Sequence, residues 1–132
     1  MGRRFVAAKY RFNFWFEWWA DTAFLPANPA ARREFGDGMT APELLPLSAD
    51  TTEQIHLLAN WHDNYLDWED PTAPSLWRQD ECDGFNDAVK QIFDQVVTEL
   101  GLDFEVVNVQ PVLAEDPDLD EYLKDPEGFM RS

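Results

Sequence analysis

The chain has 132 residues, enough for one domain with a substantial core, and its 45% apolar and 14% aromatic content excludes a disordered acidic chain. Ten basic residues stand against 26 acidic ones, a formal charge of −16. Charge of that size works against direct binding to nucleic acid or to an anionic membrane; it fits either a basic partner or simple solubility. The imbalance is local. Residues 1–49 hold six basic and five acidic side chains, and residues 50–132 hold four and 21.

Arg4 to Trp19 reads as a strand, because Lys9, Arg11 and Asn13 alternate with Tyr10, Phe12 and Phe14. Beyond Phe14 both faces turn apolar through Trp15, Phe16, Trp18 and Trp19. A second strand over Thr22 to Leu25 is expected to pair back on it and to stop at Pro26. Asn28-Pro29 opens a short helical turn through Phe35, with Pro at the first helical position, and Gly36-Asp37-Gly38 breaks it. Leu44, Leu45 and Leu47 suit a short edge strand, since Pro46 excludes a central one.

A helix is predicted from Thr51 to Trp68, opened by Asp50 and Glu53 as cap and reciprocal partner. Ile55, Leu58, Ala59, His62, Tyr65 and Leu66 keep the helical period, and Glu69-Asp70-Pro71 closes it. The strongest periodic stretch follows, over about residues 78–100. Phe85, Ala88, Val89, Ile92, Phe93, Val96, Val97 and Leu100 form its apolar stripe, and Gly101 suits the turn that ends it. A last strand is expected within residues 103–110, beside the first. The fold class is therefore α+β: a small antiparallel or mixed sheet (strands near 4–19, 22–25 and 103–110) with two amphipathic helices packed on one face. Residues 1–112 form the domain. Residues 113–132 form an acidic tail, mobile or peripherally docked, in which Leu119, Tyr122 and Leu123 suit one helical turn.

The chemistry of enzymes finds little support. His56 and His62 are six apart and so point to different helix faces, and His62 lies on an apolar stripe where an interior role fits best. No HExxH, paired-Cys, GxSxG or phosphate-loop pattern occurs, and Pro117 interrupts the faint calcium-like run Asp116, Asp118, Asp120. The lone Cys82 sits among Asp80, Glu81 and Asp83, which oppose a thiolate. No catalytic residue, metal ligand or cofactor is expected. No transmembrane span or signal peptide is evident, and the single cysteine suits the cytosol.

What remains is a binding surface. Asp63, Asp67 and Asp70 share one predicted helix face, and Asp80, Asp83, Asp87 and Asp94 share another. Trp61 and Trp68 lie seven apart beside the first row, and Trp77 opens the second helix. Aromatic anchors with carboxylates for steering suit a contact with a basic protein such as a nuclease or nucleic-acid-binding complex. The alternative is that the three Trp only cover the junction of helices and sheet. In size, charge and class the chain resembles the small acidic immunity or inhibitor proteins that protect a cell by capping a basic toxin. The resemblance rests on overall character and carries over no residues. It implies a non-enzymatic inhibitor in the cytoplasm of a bacterium or phage-infected cell. Two rivals stand beside it: a small enzyme or ligand-binding domain with an aromatic pocket built by Trp15, Trp18, Trp19 and the helix aromatics, and a homodimeric structural subunit.

Overall fold

The computed structural model describes residues 8–130. Three strands, β1 (Tyr10–Phe14), β2 (Phe24–Pro26) and β3 (Phe104–Asn108), form one sheet in the order β2-β1-β3. β1 runs antiparallel to β2, pairing Phe12 with Pro26 and Phe14 with Phe24. It runs parallel to β3, pairing Tyr10 with Phe104 and Phe14 with Asn108. The sheet is thus mixed, as the α+β reading allows. A parallel partner requires a long crossover, and the helices between β2 and β3 supply it.

The first strand is much shorter than its aromatic run. Residues 4–7 of the predicted strand lie outside the described residues, and regular pairing stops at Phe14. One further bond on each side, Trp15 N–H to Ala23 O and Val109 N–H to Phe14 O, prolongs the ladder. Then Glu17 turns the chain. Its carboxylate accepts from the Trp18 N–H (3.1 Å) and the Trp15 indole (3.3 Å), and its carbonyl accepts from the Ala20 N–H. The double-sided apolar pattern therefore marks a turn that buries Phe16 and leaves Trp19 exposed, not a continuation of the strand.

Pro29–Phe35 forms helix α1, with Asn28 as its N-cap accepting from the Ala31 N–H at 2.9 Å. The expected Leu44–Leu47 edge strand is absent. Pro42–Leu44 makes a 3-10 turn instead, and Thr40, not a leucine, bonds the outer edge of β2 through its N–H to Phe24 O. Helix α2 runs over Ala49–Asp63. Its cap is Ser48 rather than Asp50: Ser48 Oγ accepts from the Thr51 N–H. Glu99 of the next helix clamps that start, accepting from Ser48 N–H (2.6 Å) and Thr51 Oγ1 (2.5 Å). Burial favours its protonated form, but these bonds and Gln95 outweigh it and hold the carboxyl down at about 2.

Helix α3 spans Gln79–Leu100 and buries Phe85, Val89, Ile92, Val96 and Leu100 of the predicted stripe; Ala88 and Phe93 are half-buried at its edge, and Val97, also predicted to be in it, is exposed. Tyr10, Phe12 and Phe14 project from one face of β1. Phe93 of α3 meets Phe14 there (5.5 Å between centroids), and Phe35 of α1 meets Phe12 (5.3 Å). α2 adds Ile55, Leu58 and Ala59 to the same core. Gly101 ends α3 at φ 76° and ψ −166°, a conformation essentially closed to residues with a Cβ. An added methyl there would meet nothing within 4 Å. Gly101→Ala is therefore expected to cost about 1–3 kcal/mol through the backbone alone, read as a lower urea midpoint with an unchanged slope.

After β3 the chain crosses α3. Asn86 exchanges hydrogen bonds with Leu113, and Gln79 with Glu115, while the Tyr65 hydroxyl donates to Ala114 O. A short helix α4 (Leu119–Lys124) follows, with Leu119 buried and Asp120 paired to Arg78 at 2.9 Å.

Candidate partner-binding site

The α3 row is present and exposed. Asp80, Asp83, Asp87 and Asp94 all lie on the solvent side of the helix, opposite the buried stripe. Gln79 Nε2 donates to Asp83 (2.8 Å), and Asp80 accepts from the Glu81 N–H. The row also contains a feature that the carboxylate spacing hid. Lys90 is exposed three residues after Asp87 and four before Asp94, so it shares their face and divides the row.

The other row does not form. α2 stops at Asp63, where Asn64 N–H turns back to Trp61 O and Tyr65 N–H to His62 O. The chain then tightens around its own acids. Asp67 accepts from Glu69 and Asp70 N–H groups, Asp70 from Thr72 Oγ1, and the Trp68 indole caps Asp63 O at 2.7 Å. Asp67 and Asp70 thus hold a turn beyond the helix end, and helical spacing does not relate Trp61 to Trp68. Trp61 is half-buried, its indole donating to Glu81 (3.0 Å). Trp77 is buried against Trp61, Tyr65 and Phe85. It supports this surface from below and does not project from it.

Asp63 has a role that its spacing did not suggest: it accepts from the Trp19 N–H at 3.1 Å. Trp19 has φ 65°, the left-handed region, and is the one non-glycine with positive φ among the described residues. Such a conformation costs on the order of 1–3 kcal/mol, so its surroundings must enforce it. They do. Trp18 is stacked on His62 at 3.9 Å, Trp68 stands edge-on to Trp18, and Trp19 leans on Trp68 at 4.3 Å. The result is a tryptophan with 72% of its surface exposed, leaning on Trp68.

Beneath Trp19 lies a shallow groove of about 820 Å³. Its floor is the exposed stripe of α2 that includes Thr52, Glu53, His56, Leu57, Asn60 and Asp63; Asp21, Glu43 and Leu47 complete the rim. His56 closes one end. Its Nδ1 lies 2.8 Å from Asp21 Oδ1, and its Nε2 approaches Glu43. Burial disfavours the imidazolium, but the two carboxylates outweigh it and raise the pKa. They sit at opposite nitrogens of the ring and so do not converge on a point. Among the described residues no group of three His, Cys, Asp or Glu side chains is arranged to hold a metal ion.

His62 behaves oppositely. It is 4% exposed among Phe16, Trp18 and Phe85, and its Nδ1 has no hydrogen-bond partner among the described residues. Burial pushes its pKa down to about 4. Cys82 is fully buried, and burial followed by Asp83, Glu115 and Glu81 raises its thiol pKa. Among the described residues no helix is long and apolar enough to cross a membrane.

The chain is thus a small α+β body with an acidic helix face and an exposed tryptophan. Residues 15–111 match the model of the Serratia CdiI immunity protein-like family. With that span covering well over half of the chain, the protein belongs to this family. No curated protein matches the chain at a significant level. Membership in an immunity-protein family implies a toxin as partner.

Proposed function

We propose that this protein is a non-enzymatic cytosolic immunity protein that binds a basic toxin and blocks the toxin's polyanion-binding cleft. The observation that carries the reading is the exposed acidic face of α3 in a chain of net charge −16 that belongs to an immunity family. Asp80, Asp83, Asp87 and Asp94 supply steering, and Asp63, Asp67 and Asp70 extend the negative surface past the end of α2. Half-buried Trp61, packed on Trp77, and half-buried Trp68, packed on Trp18 and Trp19, offer apolar edges to a partner. A nuclease or another nucleic-acid-binding protein is the natural partner, because its substrate cleft already recognises regularly placed negative charge.

Replacing Asp80, Asp83, Asp87 and Asp94 together by lysine is expected to slow association with a purified toxin domain by about tenfold or more at low salt, with less effect at high salt. Stopped-flow binding at two ionic strengths checks this, with circular dichroism as the control for folding. Association at the wild-type rate, with the wild-type salt dependence, would reject the role given to α3.

A further inference from the structure

The α2 groove lies apart from the α3 row, and its chemistry is more specific. We infer that the groove beneath Trp19 receives an arginine side chain of the toxin, stacked on the indole and paired to the carboxylate of Glu53 on its floor. The inference rests on the toxin-binding reading above and names where a second, anchoring contact is made.

Three observations converge on it. The groove is concave, and among the described residues its lining includes Asp21, Glu43, Glu53 and Asp63 but no Lys or Arg. Three of these acids have partners: Asp21 and Glu43 flank His56, and Asp63 holds the Trp19 backbone. Glu53 is exposed and makes no ion pair or hydrogen bond among the described residues, so its charge is left for an incoming group. Its neighbour one turn on, Leu57, is 61% exposed and gives the groove an apolar floor for the stem of a long side chain. Trp19, finally, presents its ring to solvent from a backbone conformation that the fold must enforce. An indole face attracts a cation, and a guanidinium is the cation that both stacks on it and forks to a carboxylate. The charge complementarity therefore selects a basic side chain, and the flat aromatic platform favours arginine over lysine.

The test compares wild type, Trp19→Ala and Glu53→Lys for binding to the same purified toxin domain, by biolayer interferometry. Both side chains are exposed, so circular dichroism should show intact folds. Each variant is expected to bind about tenfold to a hundredfold more weakly, mainly through faster dissociation, whereas the α3 reversal acts on association. Wild-type affinity in both variants overturns the inference while leaving the immunity reading intact. Should the wild-type chain not bind that toxin, the immunity reading fails for this toxin, and the groove is judged by a blocked Gly-Arg-Gly-Arg-Gly peptide. A shift of the Trp19 indole N–H resonance, absent with the citrulline version and abolished by Glu53→Lys, sustains the arginine site. No shift with the arginine peptide overturns it.

Discussion

Truncating Phe85 to alanine is expected to lower stability by about 3–5 kcal/mol, the range for a core aromatic. Phe85 has no exposed surface. Its ring meets Trp61 at 5.2 Å, Trp77 at 5.6 Å, His62 at 5.8 Å and Phe16 at 6.1 Å. It therefore joins α3 to the end of α2, to the linker between them and to the loop after β1. These neighbours are large flat rings fixed by several contacts each, so they are poorly able to collapse into the space left. At roughly 3–5 °C per kcal/mol for a domain of this size, the midpoint of a thermal melt should fall by about 10–20 °C. A melt within about 3 °C of wild type would show that the cluster repacks and that Phe85 is not its keystone. Phe85→Leu, which retains much of the volume, should lose less than half as much.

Phe85 belongs to the part of the protein that its sequence makes plain. The α3 stripe repeats at a strict helical period over four turns, and a helix with that pattern has one way to bury itself. The order of strands and helices followed from similar local signals. What stayed hidden depends on contacts between distant segments. Residues 64–68 continue the helical pattern of α2, yet the helix stops because Asp67 captures two backbone N–H groups and the Trp68 indole takes Asp63 O. Each of those bonds competes locally with helix propagation, and aspartate is a residue suited to do so. The Trp19 conformation could not be read from Trp15–Trp19 at all, since it is fixed by Asp63, 44 residues away. The spacing of Asp50 and Glu53 pointed to Asp50 as the cap of α2, yet Ser48 takes that place. Glu99, far along the chain, settles the choice by clamping Ser48 and Thr51. The acidic α3 face was legible from spacing, but reading only the carboxylates concealed Lys90 among them.

The second large effect concerns pH. His62 lies neutral between Trp18 and Phe85, with its folded pKa at about 4 through burial, against which Asp63 and Glu17 pull weakly. In the unfolded chain it titrates near its ordinary value of about 6.5. Between these values the unfolded state binds a proton that the folded state refuses. Stability from this residue is therefore full above about pH 6.5, lost as pH falls toward 4, and constant below, a loss on the order of 2–4 kcal/mol. His56 acts in the reverse sense. Its pKa is raised in the fold, so its contribution is full below about pH 6.5 and disappears as pH rises through its folded value. Relief of the large negative charge on acidification also favours the folded state. Neither opposing effect involves a buried ring, so the His62 loss should dominate between pH 6 and 4.5 in chemical denaturation. Glu99, held at about 2, contributes stability that is lost only at lower pH, mainly below about 4.5 as the unfolded carboxyl takes up its proton. The two can thus be separated on one curve. His62→Phe keeps an aromatic surface against Trp18 and removes the titration. Its stability should stay nearly flat, or rise, where that of wild type falls, and parallel curves for the two proteins from pH 6.5 to 4.5 would rule out His62 as the source of acid sensitivity. Because Trp18 stacks directly on this imidazole and Trp68 bridges Trp18 to Trp19, protonation that does reach His62 strikes the support of the displayed tryptophan. Loss of toxin binding on acidification should therefore precede global unfolding in wild type and be delayed in His62→Phe, an order that binding and circular dichroism recorded on the same samples will reveal.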